Sequence, residues 1–131
     1  MSVDIENLNI NLEQYPRDPI VFIPNKSGHD FSASSKYGTA TYITQGLINR
    51  FSVGHMARKW ALHLRSSLPS DFIMLTSLTI LTVVGAAIFG HLHGRINLLI
   101  FRNNKYIART VVFDQLFENL NDKEDSSNES N

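Results

Sequence analysis

Cysteine is absent from this sequence of 131 residues. Its absence excludes a disulfide framework, a thiolate metal site and a cysteine nucleophile, and it is consistent with a reducing compartment. The N-terminal stretch MSVDIENLNINLEQY lacks a basic segment followed by an apolar one, so we expect no secretory signal. A chain of this length predicts one domain with its own hydrophobic core.

Acidic residues are nearly absent from the middle of the chain. From Arg50 to Arg109 there are eight lysines and arginines but one acid, Asp71, whereas residues 1–30 hold five acids and residues 114–131 hold six. The formal net charge of zero therefore hides a basic body between an acidic arm and an acidic tail. A basic surface of this kind is suited to binding phosphate-bearing ligands or an acidic partner. The alternative interpretation is an ordinary solvated surface without a partner.

One uncharged run is long enough to cross a bilayer, because it extends over the nineteen residues from Phe72 to Gly90. Its composition argues against a single membrane helix. Thr76-Ser77-Leu78-Thr79 supplies helix-capping residues in the middle of the run, and β-branched residues are frequent around them. We therefore predict a strand over 71–76 and a helix over 78–93 that ends at Gly94, with no membrane span.

The remaining patterns predict an alternation of strands and helices. An apolar stripe indicates a helix over 52–66, with Ser52 as its cap and Trp60 in the core. Asn103-Asn104 indicates a tight hairpin turn. The other predicted strands are 19–24, 39–44, 96–102 and 105–113, and the other predicted helical segments are 30–38 and 114–120.

These elements predict an α/β fold, in the form of a small three-layer Rossmann-like domain. We expect a mostly parallel sheet of about five strands with an antiparallel C-terminal hairpin strand. The predicted organisation is an acidic arm over 1–18, the α/β domain over 19–120 and a disordered acidic tail over 121–131.

Ligands of open parallel sheets bind beyond the carboxyl ends of the strands. Polar residues follow each of the first three parallel strands, and the third group lies at a helix N-terminus that favours anions. We expect the hairpin after the fourth parallel strand to face the other way. Ordinary turn or capping roles are the alternative for several of these residues. The predicted ligand-binding residues are Asn25, Lys26, Ser27, His29, Thr44, Gln45, Arg50, Thr76, Ser77 and Thr79.

The more specific chemical motifs are missing from the sequence. It contains neither G-x-G-x-x-G after a strand nor G-x-x-x-x-G-K-[ST]. The histidines predict no metal site, because His91 and His93 diverge on a helix and no acid lies near them in sequence. His29 and Asp30, among several serines, are candidate catalytic residues for hydrolysis, although no G-x-S-x-G motif accompanies them.

Four segments carry a resemblance to a group of proteins: NKSGHDFSASSKYG, DFIMLTSLT, HGRINLLIF and KYIART. Over about residues 20–113 the chain resembles small α/β proteins encoded by tailed bacteriophages. The resemblance implies a viral accessory protein that works in the cytoplasm of a bacterial host. It implies no catalytic residues for this chain.

Three functional hypotheses follow. The first is a non-enzymatic binding module, without a cofactor, for a phosphate-bearing small molecule of nucleotide type. The alternative is a protein-interaction or homo-oligomeric assembly protein, whose basic body meets the acidic arm or tail of a neighbour or a host protein. The third is a hydrolase or nuclease that uses His29 and Asp30.

Overall fold

The structure, a computed structural model, describes residues 15–76 and 78–123. It contains five strands, three α-helices and one 3₁₀ helix, in the alternating order that the sequence predicts. The strands are β1 (Ile20–Lys26), β2 (Thr39–Gln45), β3 (Phe72–Met74), β4 (Arg95–Arg102) and β5 (Lys105–Val112), and the helices are the 3₁₀ helix (Ser32–Tyr37), α1 (Val53–Leu64), α2 (Thr79–His93) and α3 (Phe113–Lys123).

The five strands form one sheet in the order β2-β1-β3-β4-β5. Neighbouring strands from β2 to β4 are parallel, and β5 is antiparallel to β4. The predicted fold class, a mostly parallel α/β sheet with an antiparallel C-terminal strand, is confirmed. β2 lies on one side of the central pair β1 and β3, and β4 lies on the other side. The strand order therefore reverses between β1 and β3.

Helices cover the two faces of the sheet because successive side chains of a strand point to opposite faces. Val21 and Ile23 of β1 pack in the cluster that contains Tyr37 of the 3₁₀ helix. Phe22, between them, packs in the cluster that contains Trp60 of α1 and residues of α2. The 3₁₀ helix therefore lies on one face, and α1 and α2 lie on the other.

Trp60 is fully buried, as predicted, and its Nε1 donates a hydrogen bond of 2.9 Å to the carbonyl oxygen of Leu81. Its ring lies against Gly85 of α2, where a Cβ would come within 2.3 Å of the ring. The close approach of α1 and α2 therefore requires glycine at this position.

The uncharged run divides as predicted. β3 occupies Phe72–Met74, shorter than the predicted 71–76, and α2 begins at Thr79 and ends before Gly94, which has a φ of 69°. No helix in the described residues is long and apolar enough to cross a membrane. The predicted capping bond of Ser52 is wrong, because the Ser52 side chain makes no capping hydrogen bond to α1.

The hairpin between β4 and β5 turns at Asn103 and Asn104, whose φ angles are 53° and 64°. Both angles are positive, as a two-residue hairpin turn of this kind requires. The expectation that this hairpin faces away from the ligand edge is wrong. Because β4 runs parallel to β1 and β3, its carboxyl end and the turn lie at the same edge as the ends of those strands.

The opposite, amino edge of the sheet holds a buried polar network around Asp71. Its carboxylate accepts two hydrogen bonds from Arg17, at 2.8 and 2.7 Å, and one each from the amides of Ile20 and Leu68, both at 2.8 Å. The side chain of Asn97 donates to the carbonyl oxygens of Pro69 and Asp71. This amino-edge network ties the segment before β1 to the starts of β3 and β4.

α3 begins at the amino edge, where the amide of Phe113 donates to the carbonyl oxygen of Gly94. It runs to Lys123, three residues beyond the predicted end of the domain at 120. Most of the predicted acidic arm, residues 1–14, and most of the predicted tail, residues 124–131, lie outside the described residues.

Candidate functional site

A cleft of about 370 Å³ opens at the carboxyl edge of the sheet, where the strand order reverses between β1 and β3. This is the position at which open parallel sheets bind ligands. The loop after β1, the loop after β3 and the β4–β5 hairpin each contribute a wall. The lining residues of this cleft are Asn25, Ser27, His29, Phe31, Leu75, Thr76, Leu78, Phe101 and Tyr106.

Aromatic rings form two walls of the cleft. The ring of His29 lies edge-on to Phe31, with centroids 4.8 Å apart, and edge-on to Phe101 at 6.1 Å. Phe101 in turn packs on Tyr106 at 5.0 Å. Phe31 and Tyr106 are buried, whereas the side chain of Phe101 remains 46% exposed. Phe101 and His29 therefore present ring surface to an incoming ligand.

Tyr106 keeps its proton at neutral pH. Burial raises the pKa of its hydroxyl above the ordinary value, and the nearby negative charge of Asp30 raises that pKa further. Tyr106, a lining residue of the cleft, therefore contributes no charge there.

The side chain of Asn25 forms hydrogen bonds within the protein at the rim of the cleft. Its Nδ2 donates to the carbonyl oxygen of Gly46 at 3.0 Å, and its Oδ1 lies 2.7 Å from the hydroxyl of Thr44. The same hydroxyl lies 2.8 Å from the carbonyl oxygen of Pro24. These bonds join the ends of β1 and β2, so Asn25 and Thr44 position the rim of the cleft.

The N-terminus of α2 adjoins the cleft through Leu78, which is both a lining residue and the residue that precedes the helix. The side chain of Leu78 makes no capping hydrogen bond to the first turn of the helix. The amides at a helix N-terminus and the helix dipole favour an anionic group. Thr76 reaches the cleft from the same loop, with its hydroxyl 3.4 Å from that of Thr82.

The predicted ligand-binding residues divide among neighbouring depressions of this edge. Asn25, Ser27, His29 and Thr76 line the cleft. Thr44 and Gln45 line a depression of about 290 Å³ beside His55 and Lys59, and Arg50 and Thr79 line another of about 400 Å³. The Nζ of Lys26 lies 5.4 Å from the centroid of the Tyr42 ring. Ser77 lies outside the described residues.

No hydrogen bond joins the candidate catalytic residues His29 and Asp30. The carboxylate of Asp30 accepts a hydrogen bond of 2.9 Å from the amide of Ser32, at the start of the 3₁₀ helix. That bond is the main reason why the pKa of Asp30 lies below its ordinary value. Asp30 therefore caps the 3₁₀ helix, while the ring of His29 packs among aromatic rings.

A different serine and histidine are paired at the amino edge. The Oγ of Ser67 lies 2.8 Å from Nε2 of His93 and 2.6 Å from the carbonyl oxygen of Leu64. A carbonyl can only accept, so the serine gives its single proton to Leu64 and the histidine donates to the serine. This assignment leaves His93 without the free lone pair that a general base toward Ser67 requires. The pair fastens the end of α1 to α2.

The described residues contain no group of three histidines, aspartates or glutamates that could hold a metal ion. The cleft has a different character, with aromatic walls and a polar rim. The predicted ligand-binding residues did not include Phe31, Leu75, Leu78, Phe101 and Tyr106. The available signal was strand direction, because a parallel β4 places its own end and the start of β5 at the ligand edge.

Comparisons with known proteins identify no relative, since no protein-family model, no curated protein and no solved structure matches the chain.

Proposed function

We propose that the protein is a non-enzymatic binding module for a small phosphate-bearing molecule of nucleotide type. The observation that carries this proposal is the cleft at the reversal of strand order, which combines aromatic walls with a helix N-terminus. Its volume of about 370 Å³ lies toward the small end of the range for ligand sites, so the ligand is a small molecule.

The planar part of the ligand occupies the aromatic part of the cleft. A nucleobase placed against the exposed ring of Phe101 gains stacking contacts that a sugar or a phosphate alone does not provide. Thr76 and Ser27 supply hydroxyl groups at the rim for polar groups of the base or sugar.

The phosphate lies toward the N-terminus of α2. Leu78 lines the cleft and also the depression that contains Arg50 and Thr79, so the two are contiguous. An anionic group there meets helix amides and a guanidinium. The basic composition of the body supports this placement, because Asp71 is the only acid between Asp30 and Asp114, and its carboxylate is bound by Arg17.

The hydrogen bond from the Ser32 amide to the Asp30 carboxylate gives that carboxylate a role in the fold, which favours binding over hydrolysis. The resemblance to small bacteriophage proteins makes the ligand one that occurs in a bacterial cell, and the protein a viral accessory protein within this proposal. A nucleotide or a cyclic nucleotide satisfies both the chemistry of the cleft and that setting.

Isothermal titration with nucleosides, nucleoside monophosphates, cyclic nucleotides and inorganic phosphate tests the proposal. We expect one nucleotide to bind, its nucleoside more weakly and inorganic phosphate least. Phe101→Ala removes one ring of the cleft and should weaken binding at least tenfold. Leu62→Ala, at a 60% exposed leucine of α1, is the control and should bind as the wild type does. No binding to any member of the panel would overturn the proposal.

A second pair of variants tests the phosphate position. Thr79→Asp places a negative charge in the first turn of α2, where a carboxylate is compatible with the helix. Thr79→Asn has nearly the same shape without the charge. We expect the aspartate variant to lose nucleotide binding and the asparagine variant to retain most of it. Equal affinities would place the phosphate elsewhere.

A further inference from the structure

α3 carries an apolar stripe that the other described residues leave largely uncovered. Phe113, Leu116, Phe117 and Leu120 recur at the spacing of one helix face. The ring of Phe113 packs against Gly90 of α2, but Leu116, Phe117 and Leu120 are 48%, 68% and 58% exposed. We call the last three residues the α3 stripe.

The stripe has acidic neighbours. Asp114 and Glu118 lie on the same helix, and both are exposed. An amphipathic helix of this kind typically docks its apolar face into a groove on a partner. Single exposed apolar residues are normal on protein surfaces, but these three recur on one face of one helix.

A second group of exposed apolar residues lies at the carboxyl edge, at the opposite end of the sheet. It comprises Leu47 and Phe51 in the loop before α1 and Val83 on α2, which we call the loop patch. Leu47 is fully exposed, Phe51 is 86% exposed and Val83 is 54% exposed. Ile48 lines a depression beside Leu47, Ile80 lines one beside Val83, and both isoleucines pack against the same buried cluster.

The loop patch has basic neighbours. Lys59 lines the depression that contains Leu47, and Arg50 lines the depression that contains Val83. The sequence from 31 to 70 contains no aspartate or glutamate at all. The patch and the α3 stripe are therefore both apolar at the centre and opposite in the charge of their surroundings.

We propose that the α3 stripe of one copy of this protein docks on the loop patch of a second copy. Apolar side chains meet apolar side chains, and Asp114 and Glu118 face Arg50 and Lys59. Since α3 starts at the amino edge and the patch lies at the carboxyl edge, the contact is head to tail. Such an interface joins two different surfaces and builds a ring or a chain of copies.

Charge argues against the symmetric alternative, in which two α3 helices pair with each other. That arrangement brings Asp114 and Glu118 of one copy against the same acids of the other. Like charges at close range oppose association. The head-to-tail arrangement replaces this repulsion with attraction. It shares Arg50 with the proposed phosphate position, so association is measured without nucleotide.

Two single variants and their mixture distinguish these arrangements. Phe117→Asp damages only the α3 stripe, and Phe51→Asp damages only the loop patch. Both side chains are exposed, so we expect both variants to fold, which circular dichroism and thermal melting check. In sedimentation velocity without nucleotide, the wild type should form oligomers whose mass rises with concentration, and each variant alone should be monomeric.

The mixture gives the decisive result. Phe51→Asp retains an intact stripe and Phe117→Asp retains an intact patch, so the equimolar mixture should form a one-to-one dimer and stop there. Leu62→Asp, at a 60% exposed leucine of α1, is the matched control and should oligomerise as the wild type does. A monomeric wild type over the whole concentration range, or a mixture that stays monomeric, would overturn the proposal.

Discussion

The two edges of the sheet use similar polar residues in different ways. At the amino edge, the carboxylate of Asp71 is fully buried and accepts hydrogen bonds from Arg17 and two backbone amides. At the carboxyl edge, Ser27 and His29 are exposed around an open cleft. The polar groups of the first edge are bound to the protein itself, while those of the second are accessible to a ligand. The difference gives the amino edge a role in stability and makes the carboxyl edge the candidate for binding.

Removing the carboxylate at the amino edge should have the largest effect. Asp71→Ala leaves two buried amides and the Arg17 guanidinium without their acceptor, so we expect a loss of about 3–5 kcal/mol in the free energy of unfolding. Urea denaturation measures it. The matched control at the carboxyl edge is Thr76→Ala, which should change stability by less than about 0.5 kcal/mol. Similar losses for both variants would remove the distinction between the edges.

Two asparagines, one at each edge, allow the same comparison with smaller expected losses of stability. Asn97 is buried and bonds to the backbone of Pro69 and Asp71, whereas Asn25 is half-buried and joins β1 to β2 at the cleft. Asn97→Leu should cost about 1–3 kcal/mol, because it leaves buried carbonyls unpaired. Asn25→Leu should cost less than about 1 kcal/mol, since water reaches its partners. Denaturation midpoints that rank the two variants in the reverse order would contradict this assignment.

The fold was more predictable than the site. β-branched runs, the helix stripe around Trp60 and the Asn103-Asn104 turn are local signals, and each predicted its element correctly. The capping residues within the uncharged run predicted where β3 gives way to α2. These signals depend on neighbouring residues, so one sequence suffices to read them.

The site depends on which strand ends lie side by side, and that information is not local. Phe101 and Tyr106 look like ordinary strand residues until the direction of β4 places them beside His29. The amino-edge network was equally invisible, because Arg17 and Asp71 are 54 residues apart in sequence. Thr44 and Arg50 lie at the predicted edge but in separate depressions, since loop conformation rather than strand order decides which of them share a wall.

A variant at the carboxyl edge should alter binding much more than stability. The ring of Phe101 is nearly half exposed, so Phe101→Ala should lower the free energy of unfolding by about 1 kcal/mol or less. Its effect on nucleotide affinity should be larger, as proposed above. Thermal denaturation of the variant without ligand checks the first part. A loss as large as that of Asp71→Ala would make Phe101 a structural residue of the fold.

The smallest expected effect is a pH dependence at the amino edge. Burial lowers the pKa of His93 below its ordinary value, and the charge of Asp71 only partly opposes this shift. At this histidine the unfolded chain therefore binds a proton more readily than the folded protein does. The contribution of neutral His93 to the free energy of unfolding is complete above about pH 6.5 and is lost as the pH falls through the folded pKa. Urea midpoints between about pH 5 and 8 measure the slope.

Matched histidine variants test whether this pH dependence of stability comes from His93. His93→Gln should flatten it, whereas His91→Gln, at an exposed position of the same helix, should leave it unchanged. A slope that persists in the His93 variant would belong to other groups.

The shortness of β3 has a consequence for the order of folding. β3 is the central strand of the sheet and has three residues, and it pairs with β1 at only two positions. The β4–β5 hairpin joins residues that are close in sequence, whereas the junction of β1 and β3 joins segments about 50 residues apart. Closing the longer loop costs more conformational entropy. We expect this junction to form late. In stopped-flow kinetics, Asp71→Ala should therefore accelerate unfolding far more than it slows refolding, and a mainly slower refolding rate would place the junction in the folding nucleus instead.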